Sequence, residues 1–219
     1  MTILPSDESL VPLARNADPA ACEALMRRHN RRLFRLVRAL LGDDAEAEDA
    51  VQETYIRAFA NLKSFAGRSS FTTWLTTIAL NEARGRLRQR RNLASLADVA
   101  ETELSQALGQ SSASDTVGPE ELAARAEMRL LLEHAIDQLP PNFRSVFVLR
   151  AVEQLSVRET AEALDIPEET IKTRFRRARL HLRRSLGEVM RDAMPDVFTF
   201  DGERCNRIVA AVLARIISV

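Results

Sequence analysis

Apolar residues recur every three or four positions along most of this chain, and the recurrence stops at a few sharp breaks. From about Ala20 to Leu41 the repeat runs through Leu25, Leu33, Leu36, Val37 and Leu40 and closes at Gly42, which predicts a helix. A second helix, about Ala45–Leu62, carries Ala50, Val51, Ile56, Phe59 and Leu62 at helical spacing. Gly67-Arg68-Ser69-Ser70 interrupts the pattern. Phe71, Leu75, Ile78 and Ala79 then open a third helix that turns arginine-rich towards Arg91. Ahead of these, residues 1–18 with Pro5 and Pro12 read as a loose lead-in that ends at Pro19.

Between residues 94 and 119 the chain changes character. Ser, Ala, Gln and Gly replace the large apolar groups, as in a flexible linker, up to a stop at Gly118-Pro119. Helical periodicity resumes over 120–138, breaks at Pro140-Pro141, and continues over 143–153, 157–164 and 168–186. The expected fold is all-α: a helical module at 20–91, a linker at 92–119, a second module at 120–186 and a tail at 187–219. Neither an internal repeat nor a convincing strand is visible.

Composition narrows the class. Hydrophobic residues make up 46% of the 219, enough for real cores, whereas aromatics (5%), glycine (7 residues) and proline (8) are scarce, which favours helices over sandwiches. Net charge is zero, yet the charges are segregated. Residues 43–53 hold six acids and no base, 81–91 hold five arginines against Glu82, and 172–184 hold seven Lys or Arg and no acid. Two basic blocks on predicted helices, separated by an acidic one, point to ligand surfaces. Cys22 and Cys205 stand far apart without a Cys/His cluster, so reduced thiols in the cytoplasm are expected, with no zinc site and no disulfide framework. No signal peptide or membrane-spanning run is visible.

The sharpest local signal is residues 156–182. Ser156-Val157-Arg158-Glu159 has the form of a capping box. The helix that it starts ends at Leu164, Asp165-Ile166-Pro167 makes a short turn, and Pro167 suits the start of the next helix. There Ile171, Phe175, Ala178 and Leu182 form the predicted buried stripe, leaving Lys172, Thr173, Arg174, Arg176 and Arg177 outside. This reads as a helix-turn-helix whose second helix enters a major groove, where arginine can grip guanine and Lys or Thr can hold phosphates. A solvated helix of an ordinary bundle would have the same stripe.

In the first module, Phe65 and a Gly/Ser loop precede Phe71, Thr72, Thr73 and Trp74, followed by Asn81, Arg84, Arg86 and Arg88. Aromatics beside hydroxyls and arginines suit single-stranded DNA, though Phe71 and Trp74 at this spacing also suit a core. The acidic helix presents Asp49, Gln52 and Glu53, all expected to be exposed beside the Val51, Ile56 and Phe59 stripe. Such a face repels DNA and fits a basic protein surface, or plain solvent.

Three stretches, DAEAEDAVQETYIRAFANLKSF, SSFTTWLTTIALNEARGRLR and LPPNFRSVFVLRAVEQLSVRETAEALDIPEETIKTRFRRARLHL, follow one another in this order. Over about residues 20–186 they resemble regions two and four of the extracytoplasmic-function type of sigma factor. The resemblance implies that Asp49, Gln52, Glu53 and Arg57 dock on the clamp helices of the polymerase β′ subunit, with the β flap as a further contact. It implies a minus-ten site of Phe65, Ser69, Ser70, Thr73, Trp74, Asn81, Arg84 and Arg88. For the minus-thirty-five element it implies Arg158, Thr160, Thr170, Lys172, Thr173, Arg174, Arg176 and Arg177. An anti-sigma partner is also implied, as is a stress or envelope response. Thr72 departs from a common arginine, and Asp165 fills a turn position often held by glycine, implying a strained or differently capped turn.

No nucleophile–base pair or phosphate-cradling loop accompanies the scattered His29, His134 and His181, so neither an enzyme nor a cofactor is expected. A stand-alone helix-turn-helix repressor would explain residues 137–186 but not the acidic and aromatic-arginine helices. A protein-only adaptor would leave the basic recognition helix unexplained. In the tail, Cys205, Ile208, Val209, Val212, Leu213 and Ile216 fall on one side of a helix, with Phe198 and Phe200 upstream. Such a stripe is expected to fold back onto one of the modules, or to dock on polymerase or an inhibitor.

Overall fold

The structure, a computed structural model, describes residues 5–97, 119–186, 197–198 and 200–217. The elements are α1 (Asp7–Arg15), α2 (Pro19–Leu41), α3 (Asp44–Ala60), a 3₁₀ turn (Leu62–Ser64), α4 (Phe71–Ala97), α5 (Pro119–Asp137), α6 (Pro141–Phe147) running into a π-helical turn (Val148–Val152), α7 (Val157–Leu164), α8 (Glu168–Leu186) and α9 (Gly202–Ile217). No strand occurs among the described residues.

Local chemistry sets the ends of the long helices. Asp18 caps α2 by accepting the Ala21 N–H at 2.9 Å, with Pro19 as its first helical residue. At the other end Gly42 adopts φ 80°, the left-handed conformation that releases the chain into α3. Asp43 caps α3 through the Glu46 N–H at 2.7 Å. Leu25, Met26, Leu33 and Phe34 of α2, Val51 and Tyr55 of α3, and Leu75 and Leu80 of α4 bury together. Ala47, Ala50, Ala58, Ala79 and Ala83 let the helices approach closely. Burying each large side chain contributes roughly 1.5–3 kcal/mol. The Tyr55 hydroxyl, inside this core, donates to the Met26 carbonyl at 3.3 Å.

In the second module Ile136, Val146, Phe147, Leu149, Leu164, Ile171, Ala178 and Leu182 form the core. The two modules pack together: α7 lies against α4, and α6 with the π-helical turn lies against α2. Charged side chains line this contact. Arg144 donates to the Ala39 carbonyl at 2.8 Å, Arg32 pairs with Glu153 at 3.3 Å, and Arg38 pairs with Asp137 at 3.3 Å. Burial pushes the Asp137 carboxyl up despite the opposing charges of Arg38 and Arg144.

Three expectations change. Residues 7–15 are helical, not a loose lead-in: α1 buries Leu10, Val11 and Ala14 against α2, while Pro12 lies on its exposed side. The apolar side holds α1 together where proline alone argued against a helix. Next, α3 stops at Ala60, where the Asn61 side-chain amide caps the helix end by donating to the Arg57 carbonyl at 2.9 Å, and Leu62 belongs to the 3₁₀ turn. Finally, α4 continues to Ala97, so the first residues of the supposed linker are helical. Residues 98–118, the rest of that linker apart from Pro119, lie outside the described part.

Candidate nucleic-acid and polymerase interfaces

The helix-turn-helix begins with α7. Its capping box is closed: the Glu159 N–H donates to Ser156 Oγ at 3.1 Å, and the Ser156 N–H donates to the Glu159 carboxylate at 2.8 Å. The Ser156 hydrogen bonds hold the Glu159 carboxyl below its ordinary range. Asp165 ends α7 at φ 53°, ψ 51°, in the left-handed region that glycine would occupy without a Cβ penalty. The Pro167 carbonyl then accepts the N–H groups of Thr170 (2.9 Å) and Ile171 (3.2 Å), starting α8.

On α8, Ile171, Ala178 and Leu182 face the core. Phe175, predicted to be buried with them, is half-buried, stacked on Phe147 at 6.1 Å and flanked by the guanidinium groups of Arg150 and Arg179. Lys172, Thr173, Arg176 and Arg177 are exposed, whereas Arg174 and Thr170 are only half-exposed. Lys172 also pairs with Glu169 at 2.5 Å, and Arg158, on α7, pairs with Glu162 at 3.4 Å while remaining exposed. Thr160 requires a correction. It is fully buried, and its hydroxyl donates to the Ser156 carbonyl at 2.8 Å, so it holds the helix start and offers nothing to a groove.

In the first module Phe65, Phe71 and Trp74 form an aromatic triad with ring centroids 5.2–5.8 Å apart. Phe71 is the buried member; Phe65 and Trp74 keep partly open faces. Ser70 caps α4, accepting the Thr73 N–H at 3.1 Å and meeting the Thr73 hydroxyl at 2.9 Å. Thr73 is therefore a second correction: only 3% exposed and bonded to Ser70, it locks the helix start and has almost no surface to offer a strand. Ser69 is half-buried beside the exposed Ser70. Farther along α4, Asn81 and Arg88 are exposed and Arg84 is half-exposed. The neighbouring arginines are engaged within the protein: Arg86 pairs with Glu82 at 2.8 Å, and Arg90 with Glu46 and the Leu41 carbonyl.

Between α1, α2 and the loop after the 3₁₀ turn lies a cleft of about 1010 Å³. Arg28, Arg31 and Arg32 line one wall, and Phe65, Ser70 and Thr72 line another. Arg28 is paired to Asp7 at 2.5 Å and Arg32 to Glu153 at 3.3 Å, both acids also lining the cleft. The sequence reading missed this basic wall, although the run Arg27-Arg28-His29-Asn30-Arg31-Arg32 was the available signal. An aromatic face and the exposed Arg31 guanidinium in one concavity suit an unstacked base with its phosphate, while Arg28 and Arg32 are engaged within the protein. On the second module a groove of about 480 Å³ has an apolar floor of Val157, Ile171, Phe175 and Leu180, rimmed by Arg150, Arg179 and Arg183.

On α3 Asp49 is exposed and Gln52 half-buried. Gln52 and Glu53, both expected to be exposed, are a third correction: each is half-buried, and the Glu53 carboxylate is reached by Arg57 (2.9 Å) and by Arg215 of α9 (3.6 Å). Arg57 bridges Glu53 and Glu82, the latter at 3.0 Å, and so ties α3 to α4.

Residues 25–93 match the family model of Sigma-70 region 2, and residues 129–182 match that of Sigma-70 region 4. The chain is 38% identical to the ECF RNA polymerase sigma factor SigW of Bacillus subtilis, over 72% of this chain and 84% of the relative. It is 30% identical to the RNA polymerase sigma-H factor of Pseudomonas aeruginosa, over 85% of this chain and 97% of the relative. The ECF RNA polymerase sigma-E factor of Escherichia coli is 33% identical over 80% of this chain and 91% of its own length. Among solved structures, CnrH in complex with the cytosolic domain of CnrY matches with a TM-score of 0.56 at 25% identity, covering 81% of this chain and 95% of that one. The sigma factor RpoE from Bartonella quintana, in complex with the anti-sigma factor NepR, has the same fold, with a TM-score of 0.59 at 23% identity over 74% of this chain and 92% of that one. No helix among the described residues is long and apolar enough to cross a membrane. The chain belongs to the extracytoplasmic-function type of RNA polymerase sigma factor, whose members perform no catalysis themselves but bind core polymerase and direct it to promoters.

Proposed function

We propose that this sigma factor divides its work among three surfaces. The outer face of α8, Lys172, Thr173, Arg176 and Arg177, reads the minus-thirty-five element, with Arg158 and Thr170 at its edge. The Phe65–Trp74 aromatics, Ser69, Ser70, Asn81, Arg84 and Arg88, together with Arg31 of the cleft, hold the opened minus-ten strand. The acidic side of α3, with Asp49, Gln52, Glu53 and Arg57, docks on the β′ clamp helices, and the apolar groove on α8 receives the β flap. The observation that carries this reading is α8 itself: Ile171, Ala178 and Leu182 are buried on one side, and four groove-suited residues are exposed on the other.

The factor supplies binding energy and register to a reaction that polymerase catalyses. Duplex contacts by α8 fix position, and aromatic stacking, worth about 1–3 kcal/mol per base, favours the opened strand. The two elements lie about 25 base pairs apart, roughly 85 Å of B-DNA at about 3.4 Å per step. Helices packed as α7 on α4 do not span that length, so the modules separate on the promoter. The factor works in the cytoplasm, in a stress or envelope response, and is held by an anti-sigma protein, a reading supported by the NepR complex of its structural relative RpoE from Bartonella quintana. Hydroxyl-radical footprinting of the holoenzyme on a responsive promoter is the test. Protection at both elements is expected; protection confined to the minus-ten side would contradict the assignment of α8.

A further inference from the structure

The tail seen as an amphipathic stripe in the sequence has a defined place. Helix α9 packs against both α2 and α3, burying Ile208, Val209 and Val212. Three arginines along it meet the acids of α3. Arg204 reaches Asp44 at 2.9 Å and lies 4.3 Å from the Phe34 ring centre; Arg207 grips both oxygens of Glu48 at 2.9 Å; Arg215 meets Glu53 at 3.6 Å. The same tail touches the second module. The Phe198 N–H donates to Glu133 of α5 at 2.7 Å, its carbonyl accepts from Arg35 of α2 at 3.4 Å, and its ring lies 5.1 Å from the Arg38 guanidinium.

We propose that α9 and the Phe198 segment form an intramolecular latch, which occupies the flank of the polymerase-docking face of α3 and holds the two modules closed until core polymerase displaces it. The proposal rests on the assignment of α3 to polymerase made above. Its own support is the complementarity of the contact: arginines of the tail neutralise Glu48 and Glu53 beside the exposed Asp49, and one short segment bridges α2 and α5. The ion pairs of Arg207 and Arg215 are more than half open to solvent on the arginine side, so they set register while the buried stripe supplies adhesion. A contact of that kind holds the free protein closed, yet a larger competing interface can displace it. Because only the unlatched fraction binds, the latch lowers apparent affinity for core by the factor of its own closing equilibrium.

The test uses the full chain with core polymerase. The double variant Ile208→Asp/Val212→Asp should bind core about tenfold more tightly than the parent. Hydrogen exchange on the unmodified protein supplies a readout independent of folding defects: α9 amides, protected in the free chain, should exchange fast once core is bound. Continued protection of α9 in the complex would overturn the latch, as would unchanged affinity in a variant whose α9 exchanges freely. Asp49→Arg separates the two ideas. If it weakens core binding while release of α9 changes nothing, the latch fails and the docking assignment stands. If it leaves core binding unchanged, the docking assignment fails, and the latch with it.

Discussion

Ser156 and Glu159 each cap the other: the serine oxygen takes the glutamate N–H at 3.1 Å, and the glutamate carboxylate takes the serine N–H at 2.8 Å. The helix so anchored has only eight residues, and it packs against the recognition helix. Ser156→Ala should therefore cost about 1 kcal/mol, within roughly 0.5–2. Exchange of the α7 amides should speed up first, and Ser156→Asp, which can also cap, should restore most of the protection.

The recognition helix gives a graded prediction. Arg176 is exposed and Arg174 half-buried. Arg176→Ala should remove about 1–3 kcal/mol of discrimination among upstream sequences, and Arg174→Ala less. Promoter competition assays with the holoenzyme measure both. Equal loss on every upstream sequence would mark Arg176 as a phosphate contact instead.

Opening of the duplex depends on α4 in this account. Asn81 is exposed ahead of Arg84 and Arg88. Asn81→Ala should reduce permanganate-detected opening on duplex promoters and have less effect on templates opened in advance. Equal loss on both would place its effect in folding or docking.

Acidification should loosen α1. Burial pushes the Asp7 carboxyl up, but hydrogen bonds and charges from His29 and Arg28 outweigh it and leave the carboxyl below its ordinary value of 3.8. A carboxylate whose folded pKa is lowered stabilises the fold fully above the unfolded value and loses that contribution as pH falls through the folded one. Protection factors of the α1 amides should therefore drop in acid, and Asp7→Asn should be low throughout and lack this dependence.

The helices that carry the interfaces were legible because their signals are local. Gly42, the Ser156–Glu159 pair and the Ile171–Ala178–Leu182 spacing lie within a few residues of the features that they specify. What was hidden depends on distant partners. Pro12 argued against a helix whose apolar side is satisfied by α2. Thr73 and Thr160 look like DNA ligands by type, but each turns inward to hold its own helix start. Glu53 is half-buried because an arginine 162 positions later reaches it, a fact that no periodicity contains. The stripe on α9 announced that it would be covered, while its landing place on α2 and α3 followed only from the fold.

Run-off transcription with purified core polymerase, over a library randomised at both promoter elements, tests the central claim most directly. Addition of this chain should produce transcripts from discrete start sites, with one preferred sequence upstream and one at the minus-ten position. The upstream preference should weaken in Arg176→Ala. Transcripts no different from those of core alone would contradict the account.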